Sequence, residues 1–237
     1  WLADPVAALA LGERAVPGSA PEQPRIPEEY VDPKRRFAPV GGIARVIVTR
    51  DGEGFEPDEL RDLADPRVRG RVALVPLGRG GGPMLVAALE LAYGERGTRG
   101  WLRQLAANAP ILLEDDAAVA ARVASGGADY GLVGSLAGGA EPGLRLVFPD
   151  QDAQGSLVTP TALVVLPGAG PAARKFAAWL AGPIAEEVLA QRIVGLLPLR
   201  EKALAHARVV PAWRLEALTV DWSAMVERTP VWFMRQA

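Results

Sequence analysis

The chain has 237 residues, of which 49% are hydrophobic and 23% charged, enough for one large domain or two small lobes around a substantial core and unlike a disordered composition. Lys and Arg number 26 against 28 Asp and Glu, and the resulting net charge of -2 gives no general attraction for nucleic acid or anionic lipid, so no nucleic-acid partner is expected. With no cysteine, disulfides, thiolate metal sites and cysteine nucleophiles are excluded, and the compartment is left open.

No run approaches the ~20 apolar residues of a membrane span, and the opening Trp1-Leu-Ala-Asp-Pro5 is not a signal peptide. A start on Trp1 points to a missing N-terminal part. Leu2 to Leu11 has the spacing of a short helix, whereas Val16 to Pro39, rich in proline and charge, reads as an extended connection across a surface. The β-branched run Ile43 to Thr49 is a strand; Pro57 to Leu63, with Asp58 and Glu59 in its first turn, is a short helix that Asp65-Pro66 breaks.

Arg71 to Pro76 is a short apolar strand bounded by Gly70 and Pro76. It leads through Leu77-Gly-Arg-Gly-Gly-Gly-Pro83 into a helix from Met84 to Tyr93. Pro83 suits a first helical turn, and the glycines allow close backbone approach. This loop reads equally as a surface loop or, with Arg79 beside a helix N-terminus, as an anion cradle; it matches neither the P-loop nor the dinucleotide spacing. A second helix, Thr98 to Ala107, puts Trp101, Leu102 and Leu105 on one face, and Ile111 to Leu113 is another strand.

Residues 115 to 132 read as a capped helix that stops on glycine and turns into a buried strand. Asp115 or Asp116 caps the first turn, Val119 and Val123 lie four apart, and Gly126-Gly127 supplies the left-handed residue. The strand Asp129 to Val133 then runs to a sheet end at Gly134-Ser135. Leu144 to Phe148 is a strand, and Ser156 to Leu166, interrupted at Pro160, is an edge or crossover strand. Gly170 to Arg192 carries a stripe of Phe176, Ala177, Leu180, Ile184, Val188 and Leu189 with a break at Gly182-Pro183, and Asp221 to Met234 reads as a final amphipathic helix.

Catalytic chemistry finds no foothold. His206 is the one histidine and lacks an activated nucleophile, and no serine stands in Gly-x-Ser-x-Gly. Asp115-Asp116 reads as capping rather than a dyad or metal site, Asp150-Gln-Asp152 as a solvated turn, and Trp101 and Trp179 as core. No catalytic residue, metal ligand or cofactor is assigned. Strand ends and helix starts at 76 to 84, 113 to 117 and 133 to 137 belong to consecutive units of one parallel sheet, which brings them to one cleft and implies binding without chemistry.

The order of these blocks resembles the periplasmic iron(III)-type solute-binding proteins of ABC transporters. The resemblance rests on Asp62 to Leu74, Ala118 to Asp129, Val147-Phe-Pro-Asp-Gln151 with Gly155-Ser-Leu157, Ala173 to Leu180 and Leu218-Thr-Val-Asp-Trp222, in common order over roughly residues 30 to 230. It implies an α/β, two-lobed type II periplasmic-binding-protein-like fold with two crossover strands, Ile43 to Thr49 and Ser156 to Leu166, and with the first lobe incomplete. Residues 1–45 and 194–237 are then the remainder of the first lobe, and 46–193 the second lobe including the crossovers. It further implies hinge closure on the ligand, a periplasmic or extracytoplasmic location and docking to ABC permease subunits in the membrane.

Ferric members of that family often carry two adjacent tyrosines where this chain has Leu136-Ala137, and acidic residues where it has Gly134-Ser135. Fe(III), a hard cation, needs anionic oxygen ligands, so no tight ferric site of that kind is expected. The ligand-binding set that survives is Arg79, Gly80, Gly81, Gly82, Asp116, Ala117, Ser135, Thr159 and Thr161, suited to a small oxyanion, a phosphonate-like solute or a metal chelate. The alternatives are a degenerate binding fold serving as a sensor or interaction module, and a transferase, which lacks a base other than His206.

Overall fold

The computed structural model describes residues 2–3, 5–11, 14, 16–23, 25–52, 54–200 and 212–234. His206 lies outside them. Among the described residues the elements are β1 (Leu2–Ala3), α1 (Pro5–Ala10), β2 (Ala38–Thr49), β3 (Val72–Leu74), α2 (Gly82–Ala107), β4 (Ile111–Leu112), α3 (Asp116–Ala124), β5 (Tyr130–Gly134), α4 (Ser135–Ala140), β6 (Arg145–Val147), β7 (Val158–Leu163), α5 (Pro171–Leu180), α6 (Pro183–Arg192) and α7 (Trp222–Met234). Two compact units share them. Trp1–Ile43, Val158–Arg214 and Asp221–Arg228 make the first, and Ala44–Leu157, Leu215–Val220 and Thr229–Ala237 the second. The chain passes between them within β2 and again just before β7. Residues 158–193, grouped with the second lobe in the sequence reading, pack in the first unit.

The second unit is built on five strands in the order β6-β2-β5-β3-β4, with β2 antiparallel to both its neighbours and β5, β3 and β4 parallel. β5 is buried along its whole length, as a strand covered on both faces must be. Gly131 shows how tightly α3 sits on it: a Cβ there would stand 2.8 Å from Val119 and 3.0 Å from Val123. The capping expected of Asp115-Asp116 falls to Asp115, whose carboxylate accepts the Ala118 N–H at 2.8 Å. Gly126, at φ 80°, ends the helix. The two helices expected between 84 and 107 are present, running on from one another across a kink at Gly94, whose φ of 75° and ψ of 159° are not helical. Pro57 to Leu63 forms a 3-10 turn at Leu60–Ala64 instead of an α-helix.

In the first unit, β1 pairs antiparallel with β7, Leu2 opposite Leu163 and Ala3 opposite Ala162. Ala20, Ala38, Val40, Leu163, Val165, Ala177 and Ala181 form a buried cluster. The break at Gly182-Pro183 is present, but only half of the expected stripe packs: Ala177 is buried, and Leu180 and Leu189 lie against the same cluster. Phe176, Ile184 and Val188 are exposed, and Trp179, read as core, is 50% exposed and stacks on Phe176 with centroids 5.8 Å apart. The packed faces are those of Ala177, Ala185 and Ala190, because small side chains admit the closer backbone approach. Trp222 and Met225 of α7 are buried, and Trp222 Nε1 donates to the Glu29 carbonyl at 2.9 Å, fastening the proline-rich connection.

Candidate functional site

In the second unit the parallel strands β3, β4 and β5 all end at one edge of the sheet, and the following segments supply the loop at 77–82 and the first turns of α3 and α4. Antiparallel pairing sets Arg45 of β2 opposite Gly134, the last residue of β5, at that same edge. Arg45 is 8% exposed, so its charge needs a partner. Asp116, in the first turn of α3, provides it: Arg45 Nη1 donates to Asp116 Oδ2 at 2.8 Å. The same oxygen accepts the Gly134 N–H at 2.7 Å. One carboxylate therefore joins three elements. Arg45 Nε remains buried without a hydrogen-bond partner.

Ser135 opens α4 fully buried, its Oγ accepting the Ala44 N–H at 3.1 Å, so it secures the strand edge. In the loop after β3, Gly80 takes φ 54° and Gly82 lies so close to Leu77 that a Cβ would be 2.5 Å from the Leu77 carbonyl oxygen. A Cβ on Gly81 would stand 2.9 Å from Arg45 Nη1, which places the loop against the guanidinium. Arg79, Gly80 and Ala117 are exposed. Arg79, Gly80, Gly81, Gly82, Asp116, Ala117 and Ser135 all belong to the second unit, while Thr159 and Thr161, both half-buried, are carried by β7 in the first.

Arg45 and Asp116 compensate one another, and Arg79 adds one net positive charge. The arrangement suits an anionic or oxygen-rich solute and holds no acid–base pair. Among the described residues no group of three or more His, Cys, Asp or Glu is placed to hold a metal ion. The chain has three tyrosines. Tyr30 is in the first unit, Tyr130 starts β5 and spends its hydroxyl on the Phe55 carbonyl at 2.6 Å, and Tyr93 is on α2.

Sequence reasoning passed over Arg45 as a site residue. The available signal was a charge inside the apolar strand Ile43 to Thr49, which a fold tolerates only with a partner. It also misread 150–152: Asp150 is 5% exposed with φ 62°, and Gln151 Nε2 donates to Ser156 Oγ at 3.1 Å and to the Glu216 carbonyl at 3.0 Å. Asp150 and Gln151 are therefore tied into the fold, and only Asp152 is exposed. Asp150 is tied at its N–H to the Asp58 carbonyl.

No curated protein sequence matches the chain. Among solved structures, the apo ferric ion-binding protein A of Pasteurella haemolytica superposes with a TM-score of 0.81 at 19% identity, over 98% of this chain and 78% of that one. The Trichodesmium protein in complex with iron and citrate gives 0.78 at 19% identity, over 98% and 79%. Iron-bound HitA from Pseudomonas aeruginosa gives 0.79 at 18%, over 98% and 80%. At these identities the likeness is one of fold, the α/β fold of two-lobed periplasmic binding proteins. No helix among the described residues is long and apolar enough to cross a membrane. The profile of the bacterial extracellular solute-binding proteins matches residues 22–192, well over half the chain, and the chain belongs to that family, whose members bind a solute rather than transform it.

Proposed function

We propose that the protein is the periplasmic solute-binding component of an ABC importer, holding a small anion or a metal chelate and delivering it unchanged to the membrane permease. The observation that carries this reading is the strand-end constellation of Arg45, Asp116 and Gly134 beside the 77–82 loop. A buried guanidinium with a free Nε, an exposed Arg79 and the start of the long helix α2 favour negative charge on the incoming solute. The absence of a phenolic side chain in this constellation favours an iron chelate over the bare ferric ion, because a chelator brings its own anionic oxygens.

Binding to the native state alone raises thermal stability by RT ln(1 + [L]/Kd), about 2.7 kcal/mol at a hundredfold excess over Kd. Phosphate, methylphosphonate, ferric citrate and citrate alone are therefore titrated against thermal unfolding of the protein and of Arg79→Gln. An upward shift with one of these solutes, diminished in Arg79→Gln, is expected. No shift with any of them, or a shift indifferent to the substitution, refutes the proposed site.

A further inference from the structure

We propose that the second unit carries a second binding site, for a small organic ammonium ion, in the cavity walled by Leu89, Tyr93, Thr98, Trp101 and Asp150. This cavity has a volume of about 330 Å³, the size of a small-molecule site, and shares no residue with the strand-end constellation. The kink of α2 at Gly94 shapes it. Tyr93 stands on one side of the kink, and Gly97, Thr98 and Trp101 on the other. Trp101 is held by its Nε1 donating to the Leu60 carbonyl at 3.1 Å, which leaves the aromatic body as wall.

Two polar groups in this wall have hydrogen-bonding capacity left. The Thr98 hydroxyl is buried, on a residue 2% exposed, and has no hydrogen-bond partner. Asp150 is 5% exposed and makes no ion pair among the described residues; one carboxylate oxygen accepts the Leu60 N–H at 3.3 Å, a long contact. Its backbone is fastened on both sides, the N–H to Asp58 and the carbonyl to the N–H groups of Ala153 and Gly155. It is held at a positive φ, the conformation non-glycine residues adopt where the surroundings impose it. A buried carboxylate held by one long N–H contact, beside a buried hydroxyl with no partner, is costly unless something occupies the hollow.

Charge selects the occupant. Glu59 and Arg61, also lining the cavity, neutralise one another through Arg61 Nε and Glu59 Oε2 at 2.6 Å. Asp62 spends its carboxylate on the N–H groups of Asp58 and Glu59. Asp150 is left as the uncompensated charge of the wall, and the aromatic residues Tyr93 and Trp101 in the same lining are of the type that attracts a cation. An ammonium group supplies N–H donors for Asp150 and, once the Thr98 side chain turns its hydroxyl into the cavity, for the Thr98 oxygen, while its apolar part lies against Leu89 and Trp101.

Isothermal titration with 2-phenylethylammonium, tetramethylammonium and the uncharged 2-phenylethanol tests the site. The primary ammonium is expected to bind saturably at about pH 8, with 2-phenylethanol weaker by about tenfold or more, the loss of a charge-assisted hydrogen bond. Tetramethylammonium, lacking N–H donors, falls between them. Asp150→Asn loses about tenfold in affinity for the primary ammonium and Thr98→Val a few-fold. Arg79→Gln leaves it unchanged, which separates this site from the proposed solute site. Equal binding of amine and alcohol, no binding of any probe, or affinity undiminished in both Asp150→Asn and Thr98→Val overturns the proposal. If Asp150→Asn does not fold, Thr98→Val and the amine–alcohol comparison on the unmodified protein decide it.

Discussion

A single oxygen, Asp116 Oδ2, accepts both Arg45 Nη1 at 2.8 Å and the Gly134 N–H at 2.7 Å, tying β2, the start of α3 and the end of β5 together. Asp116→Ala leaves the guanidinium without a counter-charge and the Gly134 N–H without an acceptor. The Asp116 side chain is 28% exposed, so water softens the loss to about 2 kcal/mol, below the ~3–5 kcal/mol of a fully buried pair. Chemical denaturation will show it as a lower midpoint at unchanged slope. The double variant Arg45→Met, Asp116→Leu is expected to lose less than Asp116→Ala alone, because it leaves no buried charge uncompensated.

Gly81 and Gly82 are adjacent and will respond differently to alanine. At Gly82 the new Cβ meets backbone, the Leu77 carbonyl oxygen at 2.5 Å, and the loop must move; about 2 kcal/mol of stability is expected to be lost. At Gly81 it meets the end of the flexible Arg45 side chain at 2.9 Å, and the backbone there is already helical. Gly81→Ala is expected to cost under about 1 kcal/mol in thermal unfolding. Its main effect will be on solute affinity.

Burial pushes the Asp150 carboxyl up to about 6, helped by the charges of Glu59 and Asp62 and opposed by the Leu60 N–H and Arg61. Between about pH 4 and that value the unfolded chain releases a proton that the native state keeps, so this group's contribution to stability falls as pH rises through the window. Asp150→Asn retains an acceptor for Leu60 and a residue type that tolerates positive φ. It is expected to be more stable than the parent by about 2 kcal/mol at about pH 8 and equal to it near pH 4. Denaturation midpoints at the two pH values check this, and a pH-independent difference would falsify the assignment.

Glu186 and Arg200 form the most enclosed ion pair among the described residues of the first unit, 2% and 4% exposed. Arg200 Nη1 lies 2.8 Å from Glu186 Oε2, and the Leu199 N–H donates to Glu186 Oε1 at 2.7 Å. Arg200 Nη2 donates to the Ala181 carbonyl and to Gln23 Oε1, each at 2.6 Å. Glu186→Ala is expected to lose about 3–5 kcal/mol, the largest single effect among these substitutions, because it strands a buried charge. A thermal midpoint within a degree or two of the parent would rule out the burial described.

Trp179 is half exposed on α5, where the sequence pattern suggested core. Trp179→Gln is expected to change stability by under about 0.5 kcal/mol, apart from the stacking on Phe176. Equilibrium unfolding of the variant measures it.

Features governed by neighbouring residues were legible from the chain alone. The Asp115 cap, the glycine stop at 126, the strand that follows it and the break at Gly182-Pro183 each depend on φ/ψ preferences and hydrogen bonds within a few residues, and each is present. The family resemblance followed from the order of such pieces, and with it the fold. Side-chain partnerships were not legible, because they join residues far apart in the chain: Arg45 with Asp116, Ser135 with Ala44, Asp150 with Leu60. Helical spacing on α5 and α6 marks two possible faces, and only packing shows that Ala177, Ala185 and Ala190 face inward and Phe176, Trp179, Ile184 and Val188 outward. The same holds for Asp150, in a turn polar by composition yet itself enclosed by segments brought from elsewhere. Local preference acts through the backbone of adjacent residues, whereas burial and charge compensation depend on which distant segments meet, and that is where both proposed binding sites arise.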